Sequence, residues 1–212
     1  MQTAFRRCIT LAQQTSPWDL SNKVLYDLCR TSPLHVDAGV VLAKMLLIGR
    51  TYAAAIERRR TKDTGNDHFY TTEVAPTMIK SKIDAWIQRA SKTSLASDEG
   101  LRIMIETHAR TTELFRRISG LEKRSLASKY LHFHVPELFF ILDARAVQGM
   151  RKVRQIVGRV SASHGRGDPQ YTTFAEKCNR LRAHCENEFD IRLSPRRLDS
   201  LLLALYENKS SI

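Results

Sequence analysis

Asp143 is the residue best placed to do chemistry. It follows the apolar run Phe140-Ile141-Leu142 and precedes Ala144-Arg145-Ala146, so it falls where an extended apolar segment ends and a helix begins. An aspartate fixed at such a helix start can be kept close to a reacting sugar. Its ordinary alternative is an N-cap worth about 1 kcal/mol, and the two roles are compatible. Upstream, Ile118-Ser119-Gly120-Leu121-Glu122-Lys123-Arg124 reads as a helix end, a glycine turn and a basic helix start. Two helices joined by such a turn can present backbone N–H groups to a DNA phosphate, because helix N-termini bind anions and glycine lets the backbone approach closely.

The elements that must carry these residues read as helices. Ser16-Pro17-Trp18-Asp19 has an N-cap, a proline and a first-turn acid, opening a helix that ends near Ser32-Pro33. A long helix is expected over 35–60, its apolar first half central in the fold. Residues 61–66 form a polar turn and 68–72 a short extended stretch. A helix begins at Pro76 and runs to about Arg89, and 91–97 is a loop. Leu101, Met104, Ile105, His108, Phe115 and Ile118 recur at three- and four-residue intervals, a helix stopped by Gly120. A short helix over 124–134 ends before Pro136, the run 138–142 is extended, and a helix from Asp143 reaches about Gly158. A loop over 159–169 precedes final helices near 171–189 and 194–208. The sum is an all-α chain of seven or eight helices, one unit over 1–212 or two lobes with the active site between them, the hairpin and catalytic segment lying at 111–158.

Composition narrows the partner. The 34 Lys and Arg exceed the 22 Asp and Glu for a net charge of +12, a polyanion-binding profile. With 42% hydrophobic residues the chain can bury a core, which excludes disordered and fibrous classes. The most apolar stretch, 40–56, is broken by Lys44 and Arg50 and is shorter than the ~20 residues of a bilayer span. Arg6 and Arg7 have no apolar run behind them, so no secretory signal is expected, and the missing acid before Asp19 fits an amphipathic first helix better than a transit peptide. Cys8, Cys29, Cys178 and Cys185 show no CxxC spacing and are expected to be reduced thiols in the cytoplasm.

The segment 118–150 resembles the helix-hairpin-helix DNA glycosylase superfamily, whose members combine such a hairpin with an essential aspartate after an apolar run of the PILD type. In the endonuclease III and adenine glycosylase branches a catalytic lysine, or a serine in monofunctional enzymes, stands eighteen residues before that aspartate. Here that position is Ser125, and Ser125-Leu126-Ala127 is similar to the family's Ser/Lys-Thr-Ala. Glu122 replaces the second glycine of the family turn, with one residue more in the turn. Cys178 and Cys185 match only the first gap of the four-cysteine iron–sulfur motif, so no cluster, metal or other cofactor is expected.

The resemblance implies an enzyme that flips a nucleotide from duplex DNA and hydrolyses its N-glycosidic bond. Asp143 would stabilise positive charge on the sugar and orient or deprotonate water at C1′. Ser125 favours a monofunctional, water-using enzyme. Lys123 is the candidate nucleophile for a lyase and otherwise a phosphate contact, and Lys129 is expected at the surface or bracing the hairpin. Ser119, Gly120, Leu121, Lys123, Arg124 and Ser125 would hold DNA at the hairpin, joined by Arg145, Arg151 and Lys152 beyond the aspartate, with Arg154, Arg159 and Arg166 continuing the basic run. Tyr52, Tyr130 and His132 are candidates for the base pocket, each with a core role as the ordinary reading, as for Trp86, Phe133 and His134. Glu57 is expected in a surface pair with Arg60. The expected partner is double-stranded DNA holding a damaged or modified base, bound by a monomer at the nucleoid without a membrane. The role would be repair or defence against phage DNA with modified cytosines. A non-catalytic DNA-binding protein, with Asp143 only a cap, is the reading from another class.

Overall fold

A computed structural model describes residues 2–59, 66–160 and 167–208. Among them all regular structure is helical: α1 (Gln2–Gln13), α2 (Asp19–Thr31), α3 (Ala38–Thr51), α4 (Asn66–Phe69), α5 (Ala75–Ile79), α6 (Ile83–Ser91), α7 (Asp98–Ser119), α8 (Arg124–His134), α9 (Ala144–Lys152), α10 (Arg154–Val157), α11 (Pro169–Phe189) and α12 (Pro195–Glu207). The division exceeds seven or eight because expected helices break. The 35–60 helix ends at Thr51, where Ala53 takes a positive φ. The helix expected to reach Gly158 breaks at Val153. Residues 68–72 are helical rather than extended, joined to α5 by a π turn over Tyr70–Val74. Pro76, two residues beyond that turn, has no N–H to give and crowds the carbonyl four residues back, a reason for the ladder to widen there.

Side chains cap the starts. Asp37, Ser97, Asp143, Asp168 and Ser194 each accept a hydrogen bond from the backbone N–H three residues on. Asp19 works in the other direction, accepting from Ser16 N at 2.8 Å and so fixing the turn into α2.

The helix at the centre is α8, not α3. Every residue from Leu126 to Phe133 is buried, whereas Leu47 of α3 is exposed. Helix α7 leads into α8 through a turn in which Gly120 sits at φ +76°, a left-handed conformation that suits glycine, and a Cβ there would meet nothing within 4 Å. The glycine is thus required by conformation and not by space.

Beyond α8 the run 139–142 belongs to no helix and is buried, without a strand partner among the described residues. Buried backbone polar groups need partners, and side chains supply them. Ser128 Oγ accepts from Leu142 N at 2.9 Å, His132 Nδ1 donates to Phe139 O at 2.9 Å, and Tyr171 Oη donates to Phe140 O at 3.0 Å. The run therefore delivers Asp143 to the start of α9 from a rigid track. Helix α9 packs on α12, and α12 on α1. The α9–α12 approach is close: a Cβ on Gly149 would lie 2.0 Å from Leu202 O.

Candidate active site

Asp143 stands at the wall of a cleft of about 760 Å³ formed by α1, the loop before α2, the end of α3, the start of α9, and α12. Its Oδ1 accepts from Ala146 N at 2.9 Å, and its Oδ2 lies 3.2 Å from Lys129 Nζ. Lys129 also donates to Ser125 Oγ at 2.9 Å, reaching back one turn along α8. Its side chain is 2% exposed, so it is not a surface residue. The amine from one turn farther on has come to the serine.

Burial acts on both partners of this pair. It pushes the Asp143 carboxyl up, but the Lys129 charge and the Ala146 N–H outweigh it, and the carboxyl is held below its usual range. In Lys129, more deeply enclosed, burial outweighs the attraction of Asp143 and the amine is held below its usual value. The pair is a strongly ionised carboxylate open to the cleft, backed by an amine that gives up its proton more readily than a surface lysine.

A second charged pair from α12 lies in the same wall. Arg196 Nη1 donates to Asp199 Oδ2 at 3.1 Å, its Nη2 to Tyr52 Oη at 2.7 Å and its Nε to Tyr26 Oη at 3.2 Å. The phenols pass the chain on: Tyr52 donates to Asn22 Oδ1, and Tyr26 to His132 Nε2 at 2.6 Å. Because His132 Nδ1 donates to Phe139 O, its Nε2 is the acceptor, and the ring joins this network to the Asp143 track. Asp199 is 5% exposed; burial raises its carboxyl to about 6 against the pull of Arg196. Its Oδ1 has no hydrogen-bond partner.

Other expected site residues fall in several places. Tyr52 and Arg145 line the cleft with Asp143. Tyr130 and His132 do not: both are wholly buried, Tyr130 hydrogen-bonded to His35 Nε2 at 2.5 Å, with His35 Nδ1 on Asp84. Lys123 is not among the residues lining the cleft and donates to Arg58 O. Ser119 is buried and spends its hydroxyl on Phe115 O and on Leu121 within the turn. Gly120 and Leu121 are exposed there. Arg124 is held by Asp168 at 2.5 Å and by Glu122, which places the turn's acid against an arginine. Arg151, Arg154 and Arg159 are exposed, Lys152 donates to Asn208 O, and Arg166 lies outside the described residues. Glu57 pairs with Arg50 at 3.8 Å and accepts from Tyr70 Oη at 2.5 Å; Arg60 lies outside the described residues.

The four cysteines are free and buried, and among the described residues no group of three His, Cys, Asp or Glu is arranged to hold a metal ion. No described helix is long and apolar enough to cross a membrane.

Sequence reasoning passed over Trp18, Arg196 and Asp199, all of which line the cleft, and misjudged Lys129. A signal existed for two of them. Lys129 stands amid Leu126, Ala127, Tyr130, Leu131 and Phe133, and Asp199 amid Leu198, Leu201 and Leu202, each a charge inside an apolar helix run. Comparison with family models, with curated proteins and with solved structures finds no match for this chain.

Proposed function

We propose that the chain excises a base from DNA by cleaving its N-glycosidic bond, with Asp143 as the essential carboxylate. The observation that carries this reading is the pairing of Asp143, at the wall of an open cleft, with a buried lysine. A carboxylate held ionised and oriented at 2.9 and 3.2 Å cannot turn away when a substrate arrives. The cleft is large enough for an extruded nucleoside. The net charge of +12 and the exposed Arg145 in the cleft wall suit the flanking phosphates.

In this reading the C1′–N bond breaks with its electron pair leaving on the base, which then takes up a proton. Positive charge develops on the sugar, and Asp143 stabilises it. Water adds its oxygen to C1′ and passes a proton to the carboxylate. Lys129 holds Asp143 in place and keeps it ionised.

A second reading takes Lys129 as the nucleophile: its amine is held below its usual value and sits 3.2 Å behind Asp143, outside the cleft lining, so it reaches C1′ only when the pair opens. Its lone pair replaces water at C1′, and the sugar opens to an iminium joined to the chain. One experiment addresses both. Wild type and Asp143→Asn are incubated with damaged, mismatched and phage-modified DNAs, and free bases are read by mass spectrometry. Release by wild type and not by the folded variant supports excision. Borohydride reduction then separates the two routes: an adduct lost in Lys129→Ala marks the amine as nucleophile, and its absence in wild type marks water. No release from any DNA, with tight binding retained, favours the binding-protein reading.

A further inference from the structure

We propose that DNA is gripped at the mouth of the Asp143 cleft, with Arg7 of α1 and Arg145 of α9 on backbone phosphates and Trp18 stacked on a base, and not at the α7–α8 turn. The inference takes DNA as the partner from the excision reading above and adds where the strand is held. Arg7, Leu11 and Gln14 follow one another at four and three residues, so they share the face of α1 that lines the cleft. Arg197 of α12 donates to Ala12 O at 3.2 Å and to Gln14 O at 2.7 Å, which ties the end of that wall in place. Arg7 and Arg145 are both exposed, and neither has a hydrogen-bond or ion-pair partner among the described residues. A guanidinium without a protein partner gives up only water when it takes a phosphate in its fork. Among the cleft's acids Asp19, Asp143 and Asp199 are held by Ser16 N, Lys129 and Arg196, which leaves Glu207 as the exposed one.

Trp18 is 66% exposed at the same mouth, and its turn keeps it there. Ser16 Oγ accepts from Trp18 N at 3.2 Å, Ser16 O from Asp19 N at 2.9 Å, and Asp19 Oδ2 from Ser16 N at 2.8 Å. Pro17 narrows the backbone further. A large aromatic face held out in water by a rigid turn is a platform for any nucleobase, since every base has a face to stack.

The α7–α8 turn offers less. Arg116 and Arg117 donate to Glu113, Arg124 to Asp168 and Glu122, and Lys123 to Arg58 O. Gly120 N donates to Arg116 O and Leu121 N to Ser119 Oγ, so these two N–H groups of the turn are spent as well. Glu113, Glu122 and Asp168 line one small hollow beside it, and a phosphate there would meet their carboxylates.

The test uses the full chain and a duplex carrying one bulged, undamaged nucleotide, whose base leaves the stack at little cost. Affinity is read by fluorescence anisotropy between about 50 and 200 mM salt, and the slope of log K against log salt is expected to shrink by about one in Arg7→Gln and again in Arg145→Gln. Arg117→Gln and Lys123→Gln, at the turn, are expected to keep the wild-type slope. In Trp86→Phe the remaining indole is Trp18, and its emission is expected to be quenched by saturating DNA. An unchanged slope in either cleft variant, a slope lowered by either turn variant, or unquenched Trp18 emission overturns the proposal. Because the probe is undamaged, binding is read whether or not a base is ever released. If damaged bases are released, and not by Asp143→Asn, while the cleft variants keep the wild-type slope, only the place of the grip fails. If the slopes fall as expected but no damaged or modified DNA releases a base, the grip stands and excision fails. No binding of the duplex at all overturns both.

Discussion

Lys129 and Asp143 divide one task between two positions. The lysine is almost completely buried and the aspartate partly open, so of this pair it is the negative member that faces the cleft. Buried pairs are weak evidence of stability, since desolvation offsets much of the attraction. The value of this one lies in setting the state of the carboxylate. Lys129→Met removes the cation while keeping the stem's volume, and the Asp143 carboxyl is then expected to titrate at a higher pH, read by carbon NMR titration. An unchanged titration would show that the lysine does not control it. The sequence made Asp143 legible because an apolar run ending in an acid at a helix start is a local pattern. It left Arg196 out of view because its partners Tyr26 and Tyr52 lie far away in the chain and meet it only through packing.

At the level of elements, α8 supplies most of the precision. Its Ser128 and His132 grip the run 139–142 by its backbone, its Lys129 holds the aspartate, and Tyr171 of α11 closes the other side. The seat of α9 on α12 is the second requirement, because α9 begins at Asp143 and α12 carries Arg196 and Asp199. Gly149→Ala would force a methyl against the Leu202 carbonyl, so the two helices must part. The melting temperature is expected to fall by about 2–4 °C for each kcal/mol of strain, together with loss of base release. An unaltered melting curve would mean the crossing is looser than described. The first hairpin helix was legible from its three- and four-residue period ended by Gly120, and the second, 124–134, from its basic start and the proline that follows. The end of α3 and the break at Val153 were not, since neither has a proline or glycine to mark it.

For the whole molecule, several buried histidines make acid the natural stress. Burial holds His108, stacked on Tyr171, down to about 4 and His132 down to about 3. Their folded values lie below the unfolded value of about 6.5, so their contribution is complete above that pH and is lost as pH falls through it. Each costs about 1.4 kcal/mol per pH unit in that window. Asp199, raised to about 6, acts oppositely and gains as pH falls from about 6 toward 4, which cancels one histidine and not both. His35 and His134, also lowered by burial, add to the loss. The denaturant midpoint is therefore expected to be lower at pH 5 than at pH 7; a higher midpoint at pH 5 would contradict the burial of these rings as neutral groups.

The excision account rests most directly on Asp143. The deciding measurement is release of free base from damaged and modified duplexes by wild type and by Asp143→Asn, with circular dichroism confirming that the variant folds. The account predicts release by wild type and a loss of at least about 100-fold in the variant, the scale expected when a stabilising group is removed from a transition state. Equal release by both proteins would contradict the role given to Asp143, and release by neither from any duplex would contradict excision itself.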